Sequence, residues 1–138
     1  MDRYFVDSDV ILDFVLDRSP YNEASTQLMN LGDRKIIKLH TSSIAISNVH
    51  YIGRKYLGTK RTLALLQQIS DFIEIESVGK AEVLEAFHSK FSDFEDALQY
   101  AAAIKIRGLK ALVTRNVKDY KLARIAVTIP KDLISTLK

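Results

Sequence analysis

Apolar positions along the chain change their period in a regular way. Tyr4-Phe5-Val6 is a short, β-prone apolar run, and Asp7-Ser8-Asp9 ends it with residues that favour helix caps. From Val10 to Leu16 only Asp13 is polar, which predicts a helix buried almost all round with one polar stripe at Asp9, Asp13 and Asp17. Arg18-Ser19-Pro20 stops it, and Tyr21–Leu31 reads as a second helix closed by Gly32. A strand over Ile36–His40 follows, then Thr41-Ser42-Ser43 as a cap and a helix from Ile44 to Tyr56. Gly58-Thr59 separates that helix from another over Lys60–Ile69; Phe72–Ile75 alternates as a strand, and Lys80–Lys90 is helical. Ser92 with Glu95 makes a capping box for a helix to Arg107, with Phe94, Ala97, Leu98, Ala101 and Ile104 on one face and Gly108 at its close. Ala111–Thr114 and Ala126–Thr128 read as two more strands, and Pro130–Leu137 as a terminal turn or helix.

Strands that alternate with helices predict a three-layer α/β/α fold around a mainly parallel sheet of four to five strands. Ligands of such sheets bind beyond the carboxyl ends of the strands, an edge that here collects Asp7, Ser42 and Asn116. A chain of 138 residues, 47% of them hydrophobic, is long and apolar enough for a core and argues against disorder, so residues 1–138 are expected to form one domain. The absence of Cys excludes disulfides, thiolate zinc sites and a thiol nucleophile. No apolar run approaches the ~18 residues of a membrane span, and the first residues do not read as a signal peptide. A soluble, cytoplasmic protein without a membrane partner is expected.

The net charge of +3 is small but unevenly spread. Asp2, Asp7, Asp9, Asp13 and Asp17 face Arg3 alone in the first 17 residues, whereas Lys105, Arg107, Lys110, Arg115, Lys118, Lys121 and Arg124 face only Asp119. An acidic centre beside a basic surface suits a metal-dependent enzyme acting on a polyanion; ordinary solvated faces would give the same segregation.

Asp7 and Asp9 flank the end of an apolar strand and the start of a buried helix, where two carboxylates repel and lose hydration unless something positive lies between them. A divalent cation would relieve that repulsion, since hard cations prefer carboxylate oxygens. The competing role is capping, with Asp13 solvated or paired to Arg18. Asp93 and Asp96 project from one side of a helix start, a place that the helix dipole also makes favourable for acids; Glu95 is expected to face solvent or serve the capping box. After the fourth strand, Thr114 and Asn116 are placed to hydrogen-bond an acidic cluster or a metal-bound water, and Asp119 to add a carboxylate, although turns favour Asn and Asp in any case.

Together, Phe5-Val6-Asp7-Ser8-Asp9-Val10-Ile11-Leu12-Asp13, Thr41-Ser42-Ser43-Ile44-Ala45-Ile46-Ser47-Asn48, Asp93-Phe94-Glu95-Asp96-Ala97-Leu98-Gln99 and Val113-Thr114-Arg115-Asn116-Val117-Lys118-Asp119-Tyr120 resemble the PIN domain family, the nuclease fold of VapC-type toxins and other RNases. The resemblance spans nearly the whole chain. It implies a Mg²⁺- or Mn²⁺-dependent ribonuclease, with Asp7, Asp93 and Asp96 holding metal, Asn116 and Asp119 completing the catalytic set, and Ser8, Asp9, Asn48 and Thr114 in support. It also implies an RNA substrate met by Arg54, Lys55, Arg115 and Lys118, a cognate antitoxin, and a homodimer. Two positions depart from the family pattern: Asn48 stands where many members carry Glu, and Asn116 where many carry Asp. Those losses motivate an alternative, a catalytically degenerate PIN domain that binds RNA or protein. A further alternative starts from Asp7-Ser8-Asp9-Val10, which also resembles the opening motif of haloacid-dehalogenase-type phosphatases.

Overall fold

The computed structural model describes residues 1–137. In chain order the elements are β1 (Arg3–Val6), α1 (Ser8–Val15), α2 (Asn22–Asp33), β2 (Lys38–Ser42), α3 (Ser43–Leu57), α4 (Thr59–Ile69), β3 (Ile73–Glu76), α5 (Lys80–Phe87), α6 (Phe94–Ala103), β4 (Leu109–Val113), a 3₁₀ turn (Val117–Tyr120), β5 (Val127–Thr128) and α7 (Pro130–Leu137). The five strands form one sheet in the order β3-β2-β1-β4-β5, and every pairing is parallel. The expected α/β/α architecture is therefore present.

The twofold alternation of side chains along each strand divides the core. Tyr4 and Val6 of β1, Leu39 of β2, and Ala111 and Val113 of β4 face α1, α2, α3, α4 and α7. Phe5 and Leu112 point the other way, onto Ala103 of α6, while Ala97 and Leu98 of α6 pack on Ala86 of α5. Central β1 is buried on both faces, as is α1, whose Val10, Ile11, Leu12 and Val15 each contribute roughly 1.5–3 kcal/mol by leaving water. This apolar anchoring fixes the β1–α1 junction, where Asp7 is the N-cap. No helix among the described residues is long and apolar enough to cross a membrane.

Several boundaries differ from the sequence expectation. Gly32 does not close α2, which continues to Asp33; a Cβ on Gly32 would lie 2.6 Å from Leu39 Cδ1, so the glycine serves close helix–strand approach. β2 starts later than predicted, at Lys38, and runs through Ser42 in register with β3. The cap of α6 is Asp93, not Ser92: its side chain accepts from the Asp96 amide at 2.9 Å, and Glu95 is left out of any capping box. The helix also ends early, at Ala103, and Phe94 and Ile104 lie about half exposed rather than on the buried face.

Candidate active site

Asp7 is the centre of the carboxyl edge. It is almost fully buried, and donors from four residues, Ser8, Gln99, Thr114 and Tyr120, meet its carboxylate, Ser8 through its hydroxyl at 3.4 Å as well as its amide. Oδ1 accepts from the Ser8 amide at 2.6 Å and from Gln99 Nε2 at 2.5 Å. Oδ2 accepts from Thr114 Oγ1 at 2.9 Å and from the Tyr120 hydroxyl at 3.2 Å. Gln99 is itself oriented by Ser42, whose hydroxyl donates to Oε1 at 3.3 Å and so turns the amide nitrogen toward Asp7. Thr114 receives the Asn116 amide at 3.0 Å, which leaves its own proton for the acids, Asp7 at 2.9 Å and Asp9 Oδ2 at 3.3 Å. Hydrogen bonds thus orient the Asp7 carboxylate from every side, yet none of its near neighbours brings a full positive charge.

Around it the other acids crowd. The Tyr120 hydroxyl lies 3.3 Å from Asp96 Oδ1 as well as against Asp7, so the two carboxyls are no further apart than those two contacts laid end to end. Burial, then the charges of Asp7, Asp93 and Asp119, push Asp96 up to about 7. Burial and Asp7 likewise push Asp9 up to about 7, in spite of the Arg115 amide that donates to its Oδ2 at 2.9 Å. The other Asp9 oxygen, Oδ1, is buried without any hydrogen-bond partner. Glu95 is raised by burial and by Asp7 and Asp93, and is held by the Ser8 hydroxyl. It therefore faces the site rather than solvent, contrary to expectation. Desolvation and the two neighbouring acids raise the Tyr120 phenol far above its ordinary range and keep it a neutral donor.

The other candidate residues divide between the site and its surroundings. Asn48 reaches the edge of the cluster, where its amide donates to Ser8 Oγ at 3.2 Å. Asp93 is exposed and committed to its cap, and acts on the cluster through its charge. Asn116 and Asp119 are both exposed; the backbone of Asn116 serves Thr114, and Asp119 reaches Asp96 electrostatically. Asp13 belongs to a separate corner, buried between Arg18 Nε at 2.9 Å and Arg115 Nε at 2.6 Å. Arg115, expected among the RNA-binding residues, has its guanidinium bound to Asp13 and 3.8 Å over the Tyr21 ring. Arg54 and Lys55 stand over the ring of Tyr51, and Lys118 is exposed beside the site loop. Among the described residues, no three acidic or imidazole side chains come close enough to enclose an ion on their own.

Sequence reading missed Glu95, Gln99 and Tyr120. Gln99 carried a usable signal, since it lies three residues beyond Asp96 on the same side of a helix otherwise rich in Ala. Tyr120 carried none, because its role depends on how the 3₁₀ turn folds back under the sheet edge.

Fold and site together define a parallel α/β protein with an acidic centre at the carboxyl edge of its sheet. Residues 3–118 match the family described as "PIN domain". The chain is 32% identical over 124 residues to "Ribonuclease VapC1" of Aquifex aeolicus (strain VF5), covering 86% of this chain and 85% of that protein. It belongs to the PIN domain family and is of the VapC type. The fold is shared with the DNA-bound VapBC of Salmonella typhimurium, at TM-score 0.71 and 18% identity over 94% of this chain and 99% of that one. A toxin–antitoxin complex from Klebsiella pneumoniae gives TM-score 0.66 and 22% identity over 92% and 97%. With the family established, the haloacid-dehalogenase reading is set aside.

Proposed function

We propose that this protein is a divalent-cation-dependent endoribonuclease and the toxin of a toxin–antitoxin pair. The observation that carries the reading is a set of acids converging with no cation against Asp7 or Asp96: these two meet on one phenol, and Asp9 and Asp96 are both pushed up to about 7 by burial and like charge, Asp9 in spite of the nearby Arg115. Such a cluster is costly for a fold to keep unless a cation joins it. The donor set fits Mg²⁺ or Mn²⁺, being all hard oxygen, and Mg²⁺ commonly takes only one or two protein carboxylates and keeps its remaining ligands as water and phosphate oxygens. Asp7 and Asp96 would hold the ion, with Asp93 adding charge from its cap. When bound, the ion supplies a water of lowered pKa and neutralises charge on a reacting phosphodiester.

The chain's own groups do the rest. Ser8, Gln99 and Thr114 fix the direction of the Asp7 oxygens. Asp9, with its unpartnered Oδ1, is able to exchange a proton near neutral pH. Lys118 meets flanking RNA phosphate beside the site loop, and Arg54 and Lys55 extend a basic surface along α3, with Tyr51 offering an exposed ring. The VapBC relatives support a cognate antitoxin, and a homodimer is included in the proposal.

The test is incubation of total RNA with Mn²⁺, wild type beside Asp96→Asn. Cleavage by wild type alone supports the proposal. A second reading, RNA or protein binding without cutting, draws on Asn48 and on the complete set of protein donors at Asp7. Absence of Mn²⁺ binding at millimolar concentration by calorimetry would select it.

A further inference from the structure

The Tyr120 side chain is an unusual peg to find at such a site. Its ring is 1% exposed and packs with Phe5, Ala103 and Leu112, with Phe91 edge-on at a centroid distance of 5.9 Å. The ring cannot swing, so its hydroxyl is a fixed point, and both Asp7 Oδ2 and Asp96 Oδ1 are drawn to it, at 3.2 Å and 3.3 Å. A phenol carries one proton and can donate fully to only one acceptor at a time. It therefore cannot neutralise two carboxylates, but it can hold them converged on one point.

We infer that Tyr120 is a positioning residue, one that keeps Asp7 and Asp96 aimed at a common cation before the ion arrives. This rests on the proposed nuclease reading. The two acids come from elements far apart in the chain, the start of α1 and the first turn of α6, and like charge drives them apart. With the hydroxyl in place, the free protein already has the geometry that the ion needs, and less of the binding free energy goes into bringing the carboxyls together.

The experiment is Mn²⁺ titration by calorimetry of the purified chain, wild type against Tyr120→Phe, with melting temperature measured without metal. Phe keeps the ring and its packing and removes only the hydroxyl. Mn²⁺ affinity is expected to fall about 10-fold or more, the range seen when groups that orient metal ligands are removed, while cleavage recovers toward wild type at saturating Mn²⁺. Tyr100→Phe is the control. That hydroxyl accepts from the Arg124 amide and makes no bond to the acids, so its loss should leave Mn²⁺ affinity unchanged. Unchanged or tighter Mn²⁺ binding by Tyr120→Phe overturns the inference, as does an equal loss in both variants. A wild type that binds no Mn²⁺ overturns the nuclease reading and this inference with it, so the two failures are told apart by the wild-type titration.

Discussion

Helix α1 carries two buried acids that live in opposite circumstances. Asp13 sits at its C-terminal end between two guanidiniums, Arg18 and Arg115, and every oxygen is met by a positive partner. Asp7, at the cap, is just as buried, but its partners are an amide, a carboxamide and three hydroxyls, with Asp9, Glu95 and Asp96 close by. The first corner is closed electrostatically and has no room for more. The second is closed only in hydrogen bonds and leaves its negative charge uncompensated. Burial alone therefore does not distinguish the two corners; the sign of the partners does, and it is what makes the Asp7 corner the candidate site.

The sharpest way to break this comparison is to neutralise one acid in each corner. Asp96→Asn should reduce Mn²⁺-dependent RNA cleavage on the order of 10³-fold, as when a key charge-stabilising group is lost, while the metal-free protein melts no lower than wild type because repulsion has been removed. Asp13→Asn should do the reverse: activity persists, and stability falls by about 2–4 kcal/mol in urea unfolding, somewhat below the loss for a fully buried ion pair because both arginines are partly solvated. A strong stability loss from Asp96→Asn, or a stable Asp13→Asn, would erase the distinction.

A smaller effect follows from pH. Asp9 and Asp96 both titrate at about 7 in the folded chain, against an ordinary value of 3.8. The folded state binds their protons more tightly, so the stability they contribute is complete below about pH 4 and is lost as pH rises through 7. With chelator present, the melting temperature should decline between about pH 4 and pH 7 and level off above, and Mn²⁺ should restore it most at the alkaline end. A melting temperature that is flat with pH, or equally Mn²⁺-sensitive at both ends, would show that the acidic corner is not under electrostatic strain.

The contrast between the corners was only half visible in the sequence. Apolar runs of period two and the nearly all-apolar Val10–Leu16 segment reveal the layers, because central strands and the helix beside them must be buried on every side. The acids at 7, 93 and 96 were legible because each stands where a strand ends or a helix starts. The Asp13–Arg18 pair was among the readings the sequence offered, but the partners that reach the acids from distant parts of the chain were not legible. Arg115 looks like a phosphate contact in a basic stretch, and only the return of the chain after β4 places it on Asp13, more than one hundred residues away. Gln99 and Tyr120 escape for the same reason: hydrogen bonds between residues so distant depend on tertiary packing, which local periodicity does not record.

The smallest expected effect concerns Asp93, the acid that belongs to neither corner outright. Its carboxylate accepts the Asp96 amide and caps α6, so Asp93→Ala should cost about 1 kcal/mol of stability, whereas Asp93→Ser, which keeps a capping oxygen, should cost only a few tenths. If capping is its main work, both variants retain Mn²⁺ affinity within a few-fold, since only a neighbouring charge has been lost. If instead both lose affinity as strongly as Asp96→Asn, Asp93 turns from its cap to join the ion, and the acidic corner then contains one more direct ligand than the proposal gives it.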